Sequence, residues 1–426
     1  MPQGAWATIT GRVTGFHRER HRLMCEGVPL SELAGQAGTP LHVYSRSVLR
    51  TRVRALGAAF AAYPHDLHYA IKANATLAVV REMRSEGAHA DANSGGEIDV
   101  ALRAGFRPDQ IVFTGVGKTH DELVRAVTLG LKAINAESPG EMERIDAIAR
   151  AHLTTARVAV RVNPDVDAGS HPHISTGSRI NKFGMTPAEA RAMAMSMAAR
   201  EHLRVVGLHM HVGSQVTDTE PLRRGAAAIA DLAQALAADG VKLEHLDVGG
   251  GLGIPYQPDQ LVPTVEEYAA AVLPVVRPTG LRLILEPGRW IAAPAGVLLT
   301  RVVDLKSRMD AGSFVIVDAG MTDLLRPALY GSWHTIEAVE PREGPSIACD
   351  VVGPVCESSD TLGKNRELPP VEVGDFLAVR DTGAYGSVMA SNYNKRPSAA
   401  EVMVDGSEWR VVRRRQTIDD LLQWDV

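Results

Sequence analysis

Five short stretches of the 426-residue chain carry side chains able to do chemistry. YAIKAN holds Lys72, an amine able to form a Schiff base, and HADAN holds Asp91. GLHMHVGSQ holds His209, His211 and Ser214, LDVGGGLG holds Asp247 with Gly249, Gly250 and Gly251, and EPGR holds Glu286, Gly288 and Arg289. Three successive glycines let backbone N–H groups approach an anion closely, and here they lack the Lys-Ser/Thr tail of a nucleotide-binding loop. Ser214 adds a hydroxyl donor, His211 a flat ring for stacking, and Glu286 a carboxylate that would hold a pyridinium nitrogen protonated. A phosphate-bearing aromatic aldehyde, pyridoxal 5'-phosphate, uses every one of these groups.

Each group also has a plainer reading. Lys72 alone is a solvated lysine, the glycine triplet a tight turn, and Glu286 with Arg289 a structural ion pair. His209 and His211, two apart on a strand, face one way and would bind a metal as readily as flank a ring. What joins the groups is the element order. Eight apolar or β-branched runs recur: Leu67–Ile71, Ala88–Ala92, Ile111–Gly115, Lys132–Ala136, Arg157–Asn163, Val205–Val212, His245–Val248 and Arg282–Glu286. Helix-forming stretches such as Thr76–Ser85, Gly96–Ala104, Asp121–Leu129, Pro187–Arg200, Pro221–Ala238 and Val265–Val276 separate them, with Ser94 and Thr119 as helix caps and Pro187 in a first turn.

Eight strand–helix units predict a parallel α/β barrel of the (β/α)8 type. An open doubly wound sheet ranks lower, because no GxGxxG turn opens the first helix. The reactive residues lie at or just past strand ends, with His209 and His211 on the sixth run, at the rim where such barrels do chemistry. Outside residues 45–290 the pattern stops. Residues 1–44 and 291–426 carry short strand-like runs (Phe314–Asp318, Ser346–Val352, Phe376–Asp381, Glu401–Val404, Trp409–Val412) and read as a second, mostly antiparallel β domain completed by the N-terminal segment.

Composition narrows the function classes. Apolar residues make up 45% of the chain and charged ones 22%, an ordinary globular balance. The net charge of −5, with no basic block, gives a nucleic-acid or anionic-membrane partner little support. Cys25, Cys349 and Cys356 form no CxxC pair, which argues for a reducing compartment and against a structural zinc; no metal is expected. No signal-like or bilayer-spanning apolar run is evident, so a soluble cytoplasmic protein is expected.

Over nearly its whole length the chain resembles the diaminopimelate decarboxylases, pyridoxal-phosphate enzymes of the alanine-racemase-like fold (fold type III). The matching stretches include GVPLSELAGQAGTPLHVYS, YAIKAN, SGGEIDVALRAGF, NPDVDAGSHPHISTGSRINKFGM, GLHMHVGSQ, LDVGGGLGIPY, EPGRWI, VDAGMTDLLRPALYG, VVGPVCESSDTLGKNRELP and DTGAYGSVMASNYN. YAIKAN is shared with ornithine and arginine decarboxylases and speaks for the cofactor; the long NPDVDAGSHPHISTG, RPALYG and CESSDTLGKNRELP stretches speak for the diaminopimelate branch.

The resemblance implies decarboxylation of meso-2,6-diaminopimelate to L-lysine and carbon dioxide, the last step of lysine biosynthesis. It implies that Lys72 carries the cofactor, that His211 stacks on its ring, and that Glu286 pairs with the ring nitrogen near Asp91. Ser214, Gly250, Gly251, Gly288 and Arg289 then surround the phosphate, with Tyr385 as a further phosphate contact. Arg289, Arg326, Tyr330 and Tyr385 are implied substrate ligands. A homodimer with shared active sites is implied as well, in which Cys356 and Glu357 are donated across the interface, Cys356 near the reacting carbon and Glu357 on the distal amino group.

Three stretches depart from the family pattern: Ser359 where ESGD is common, Asn365 where K-D-R-E is common, and Ser332-Trp333 where Ala-Tyr precedes His334. They leave open a decarboxylase of another diamino acid (ornithine-, lysine- or arginine-like). The rivals outside the family are a metal-dependent amidohydrolase barrel, suggested by the HxH pair, and a degenerate, non-enzymatic binding relative, disfavoured by the presence of Lys72 and Cys356.

Overall fold

Eight short apolar runs, each too small to bury its own surface, close on one another as a parallel barrel. The computed structural model describes residues 15–167, 182–308 and 312–426. Residues 1–14 of the N-terminal segment and residues 168–181 of the NPDVDAGSHPHISTGSRINKFGM stretch lie outside the described residues. The chain falls into two units: Val53–Pro255 with Leu261–Trp290, and Met1–Arg52 with Tyr256–Gln260 and Ile291–Val426.

The first unit is the barrel. Its strands are β1 (His65–Ala70), β2 (His89–Ala92), β3 (Ile111–Phe113), β4 (Ala133–Ala136), β5 (Ala156–Arg161), β6 (Leu203–His209), β7 (His245–Asp247) and β8 (Arg282–Leu285), all parallel. Closure comes where β8 pairs with β1, through Leu283 with His65 and Leu285 with Leu67. Val112, Ala133, Ala159 and Val206, from four successive strands, form one fully buried cluster. The helices start where expected: Ser94 accepts from Glu97 N, and Thr119 and Thr186 each form a reciprocal box with the glutamate three residues on. A helix over Pro139–Ala151, capped by Ser138, joins those expected.

One boundary differs in a way that matters for the site. β6 stops at His209 rather than running to Val212, although Met210 N still donates to Asp247 O at 2.9 Å. His211 therefore lies beyond the strand's end, against Gly250 N, while His209 ends the strand against Glu286.

The second unit is built on a nine-stranded, mostly antiparallel sheet. Leu41–Ser45 from the N-terminal segment lies inside it, antiparallel to Gly296–Arg308 and parallel to Ala400–Asp405. A second parallel join links Gly312–Val317 with Ile347–Val352, and the latter runs antiparallel to Thr361–Leu368. Leu41, Val43, Val297, Leu299, Val402 and Val404 anchor one core cluster; Val315, Val351, Leu362 and Leu377 anchor another. Among the described residues no helix is long and apolar enough to cross a membrane.

The barrel holds several neutral histidines. Burial drives His68 well below its ordinary pKa, and its Nδ1 lies 3.2 Å from Ala90 O. Burial likewise lowers His245 from 6.5 to about 3; its ring packs where a Cβ on Gly207 would fall. An unfolded chain protonates both imidazoles as the pH drops below about 6.5, whereas the folded chain does not, so stability is lost from there downward. The expected slope is up to about 1.4 kcal/mol per pH unit for each histidine. Urea melts between pH 8 and 4 should show it, and a pH-independent midpoint would contradict it.

Candidate active site

Lys72 lies in the single turn Ile71–Ala73 that follows β1, so its amine projects from the C-terminal rim. Its Nζ is 3.3 Å from Asp91 Oδ2, at the end of β2, and 3.4 Å from Asn93 Oδ1. Asn93 Nδ2 in turn donates to both Asp91 oxygens at 3.2 Å. Opposite charge thus holds the amine at the mouth without burying it, since 35% of the side chain stays exposed. Lys118, another lysine beyond a strand end, is buried and donates to Gly115 O, Asn135 O and Glu141 Oε1 at 2.6–2.8 Å. A lysine so engaged braces the rim and is no reagent.

Glu286, just past β8, is buried with its carboxylate 3.3 Å from His209 Nε2 and 3.4 Å from Thr114 Oγ1. Burial pushes its pKa up, but the facing His209 and the Lys72 charge outweigh that and hold it below the ordinary carboxylate range. Asp91 and Asp247 move the other way: burial and the Glu286 charge both raise them. Of these three buried carboxyls, Glu286 is the one whose charged form its neighbours favour.

His211 Nδ1 accepts from Gly250 N at 3.2 Å, so the ring proton sits on Nε2. Burial, with Lys72 and Arg161 nearby, lowers its pKa to about 3, and the ring stays neutral. The glycines are required by close approach. A Cβ on Gly250 would lie 2.2 Å from Glu286 O, and one on Gly251, at φ 105°, would lie 2.4 Å from Gly213 O. A Cβ on Gly288 would meet Ala73 and Ala70 at 3.0–3.1 Å. Arg289 Nη2 donates to Ser214 Oγ at 2.9 Å, putting a guanidinium and a hydroxyl side by side.

The barrel therefore gathers Lys72, Asp91, His211, Ser214, Gly250, Gly251, Glu286, Gly288 and Arg289 on one rim. The remaining residues belong to the second unit. Arg326 opens the short helix Arg326–Tyr330 and is buried. Its Nη1 donates to His334 Nε2 at 2.7 Å, and its guanidinium lies 4.6 Å from the centre of the Tyr256 ring. His334 Nδ1 donates to Arg380 O at 2.7 Å, which fixes the tautomer that accepts from Arg326. Tyr330 is half-buried. Tyr385 is half-buried too, in a left-handed conformation at φ 56°. Cys356 and Glu357 are exposed on the turn after Ile347–Val352.

The chain matches the family model described as pyridoxal-dependent decarboxylase, pyridoxal binding domain, over residues 46–293. A diaminopimelate decarboxylase of Neisseria meningitidis serogroup A is 47% identical over 397 residues, covering 93% of this chain and 97% of the relative. The chain belongs to the diaminopimelate decarboxylase family. The crystal structure of the diaminopimelate decarboxylase from Helicobacter pylori complexed with L-lysine superposes with a TM-score of 0.89 at 40% identity, covering 92% of this chain and 98% of that one. The crystal structure of the diaminopimelate decarboxylase from m. jannaschii in co-complex with L-lysine gives a TM-score of 0.92 at 36% identity, covering 96% of this chain and 97% of that one.

The family's cofactor fits the donor set. A cationic amine, a neutral aromatic ring, a guanidinium–hydroxyl pair beside glycines and an ionised carboxylate answer, in turn, an aldehyde, a ring face, a phosphate and a pyridinium. His209, Asp247 and Glu286 also bring ligand atoms within 4.8 Å of one another, a spacing a metal would accept. That cluster leaves out His211, so the HxH pair does not act as the two-ligand unit its spacing suggested. Sequence reasoning missed the residues that orient the reactive ones: Asn93, Thr114, Tyr256 and His334. All four lie in or beside stretches marked out above, Asn93 after Asp91, Thr114 in a strand run, Tyr256 at the end of LDVGGGLGIPY and His334 after RPALYG, but residue type alone gave none of them an orienting role.

Proposed function

We propose that the protein removes the carboxylate at one end of meso-2,6-diaminopimelate as carbon dioxide and releases L-lysine, working with pyridoxal 5'-phosphate as a cytoplasmic homodimer. The observation that carries this reading is the polarity of the barrel mouth: the Lys72 amine held by Asp91 and Asn93, and a Glu286 that stays ionised. Bound pyridoxal phosphate supplies an electron-withdrawing ring that accepts the electron pair left by the departing carboxylate.

The chain's own residues do the rest. Glu286 holds a proton on the ring nitrogen, which keeps the ring electron-poor. Neutral His211, oriented by Gly250 N, offers a face without adding a competing charge. Ser214 and Arg289, with the glycines that admit close approach, take the phosphate and stop the ring from rotating. Arg326 receives a substrate carboxylate, preset by His334 and Tyr256, with Tyr330 and Tyr385 beside it in role. Cys356 delivers the proton to the reacting carbon, and Glu357 receives the distal ammonium; both are exposed in the single chain, as groups offered to a partner subunit's site would be.

A product assay tests the whole. Protein supplied with pyridoxal phosphate and meso-diaminopimelate should release carbon dioxide and L-lysine in equal amounts. Lysine and ornithine lack the second carboxylate and should react at least about 10⁴-fold more slowly, because each leaves a desolvated Arg326 without its ligand. Equal turnover of ornithine would overturn the substrate. Arg326→Lys should keep the cofactor's absorbance and lose about 10²-fold or more in kcat/KM, since an ammonium can neither donate as a planar fork nor stack on Tyr256.

A further inference from the structure

The turn that carries Cys356 and Glu357 is exposed, yet a reacting carbon needs its proton donor in one place. What fixes the turn is a single buried carboxylate. Asp360 Oδ2 accepts from Val355 N at 2.7 Å, the residue before Cys356. Its other oxygen, Oδ1, accepts from Met321 N at 2.5 Å, five residues before Arg326. The Asp360 main chain closes the same turn, its O accepting from Gly353 N and its N donating to Glu357 O, both at 3.0 Å.

Two glycines make room for that carboxylate. A Cβ on Gly353 would fall 2.3 Å from Asp360 Oδ2, and a Cβ on Gly320 would fall 2.9 Å from both oxygens. The loop on the Met321 side is itself braced, with Asp323 Oδ2 accepting from Gly320 N at 3.0 Å. From outside, Asn394 Oδ1 accepts from Cys356 N at 2.9 Å, with Asn394 in a left-handed conformation at φ 56°. Ser359, where this chain departs from ESGD, adds a further link: its hydroxyl donates to Met321 Sδ at 3.9 Å.

We propose that Asp360, assisted by Asn394, is a positioning residue of the decarboxylation: it clamps the Cys356–Glu357 turn to the loop that leads into Arg326. The inference rests on the reading of Cys356 and Glu357 as substrate-facing. No bond is made or broken by Asp360 itself. Its role is to present two chain segments, one bearing the acid and the other bearing the carboxylate receptor, in a fixed relation. Loss of one acceptor leaves a buried N–H without a partner and frees the turn.

Cys356 provides a direct probe, because Cys25 and Cys349 are buried and Cys356 is exposed. Asp360→Asn in the holoenzyme should speed the reaction of Cys356 with an aromatic disulfide reagent several-fold and raise amide exchange at Val355 and Met321. It should lower kcat for meso-diaminopimelate about tenfold or more while leaving the cofactor absorbance at the wild-type intensity. Asn394→Gly keeps the left-handed backbone and lies outside the core, so it reports even where Asp360→Asn fails to fold; it should change thiol reactivity and kcat in the same direction, more weakly. Unchanged thiol reactivity and unchanged kcat in the folded variants would overturn the proposal. Cys356→Ala and Glu357→Gln separate the two ideas: full activity in both refutes the substrate-facing reading, while a loosened turn in Asp360→Asn would still show the clamp.

Discussion

Lys72→Ala protein is expected to fold, to lose the visible absorbance that bound pyridoxal phosphate gives the wild type, and to lose turnover by about three orders of magnitude or more, the scale on which removing a reacting group acts. The choice of lysine follows from what each amine already does. Lys118 has three acceptors within 2.8 Å and is buried, so removing it would strand Glu141 and cost about 3–5 kcal/mol of stability without touching the chemistry. Lys72 is held by longer contacts of 3.3 and 3.4 Å and remains partly exposed. Its loss leaves Asp91 facing no cation, but Asn93 Nδ2 still donates to both of its oxygens at 3.2 Å, so the carboxyl is not left without a donor. The expected signature is therefore a normal thermal melt with no colour and no product. A colourless variant that still turned over substrate, or a coloured one with wild-type spectra, would remove Lys72 from the chemistry.

Much of this site is legible in the sequence because strand ends in a parallel barrel converge by construction. Once eight strand–helix units are counted, Lys72, Asp91, Ser214, Gly250 and Glu286 are bound to share a rim, however far apart they lie in the chain. The strand positions could be read because each run is short, apolar and followed by a helix cap such as Ser94 or Thr119. Period-based reading failed at His211. Alternation along GLHMHV continues past the point where the ladder ends, so two histidines placed on one face by counting stand in different environments, one against Glu286 and one against Gly250.

The second unit was harder to read. Its long strand Gly296–Arg308 and the strand Thr361–Leu368 carry charged residues at several positions, so neither shows the continuous apolar run that marked Phe314–Asp318. The orienting contacts of Arg326 were also out of reach. Tyr256 and His334 lie 70 and 8 residues away from it in sequence, and only the folded unit puts a ring 4.6 Å beneath the guanidinium and an imidazole 2.7 Å from its Nη1. Residue type announces what a side chain can do, while its neighbours decide whether it is held ready to do it.

Mixing two inactive chains is the second large effect expected. Cys356→Ala should lose about 10²–10⁴-fold in turnover, the contribution of a placed general acid. If Cys356 serves the partner subunit's site in a twofold dimer, a hybrid of Cys356→Ala and Lys72→Ala chains contains one site with both groups intact and one with neither. Random reassortment of equal amounts makes half of the dimers hybrids, each with one working site of two, so activity should recover to about a quarter of the wild-type value. If Cys356 serves its own chain, every site in the hybrid lacks one group and mixing recovers nothing. Differently tagged chains show that exchange has taken place, and the recovered fraction should rise with it to that plateau. Full exchange with activity still at the level of the parents would place Cys356 in its own subunit's chemistry or outside the chemistry altogether, and the exposed turn at 356–357 would then need another purpose.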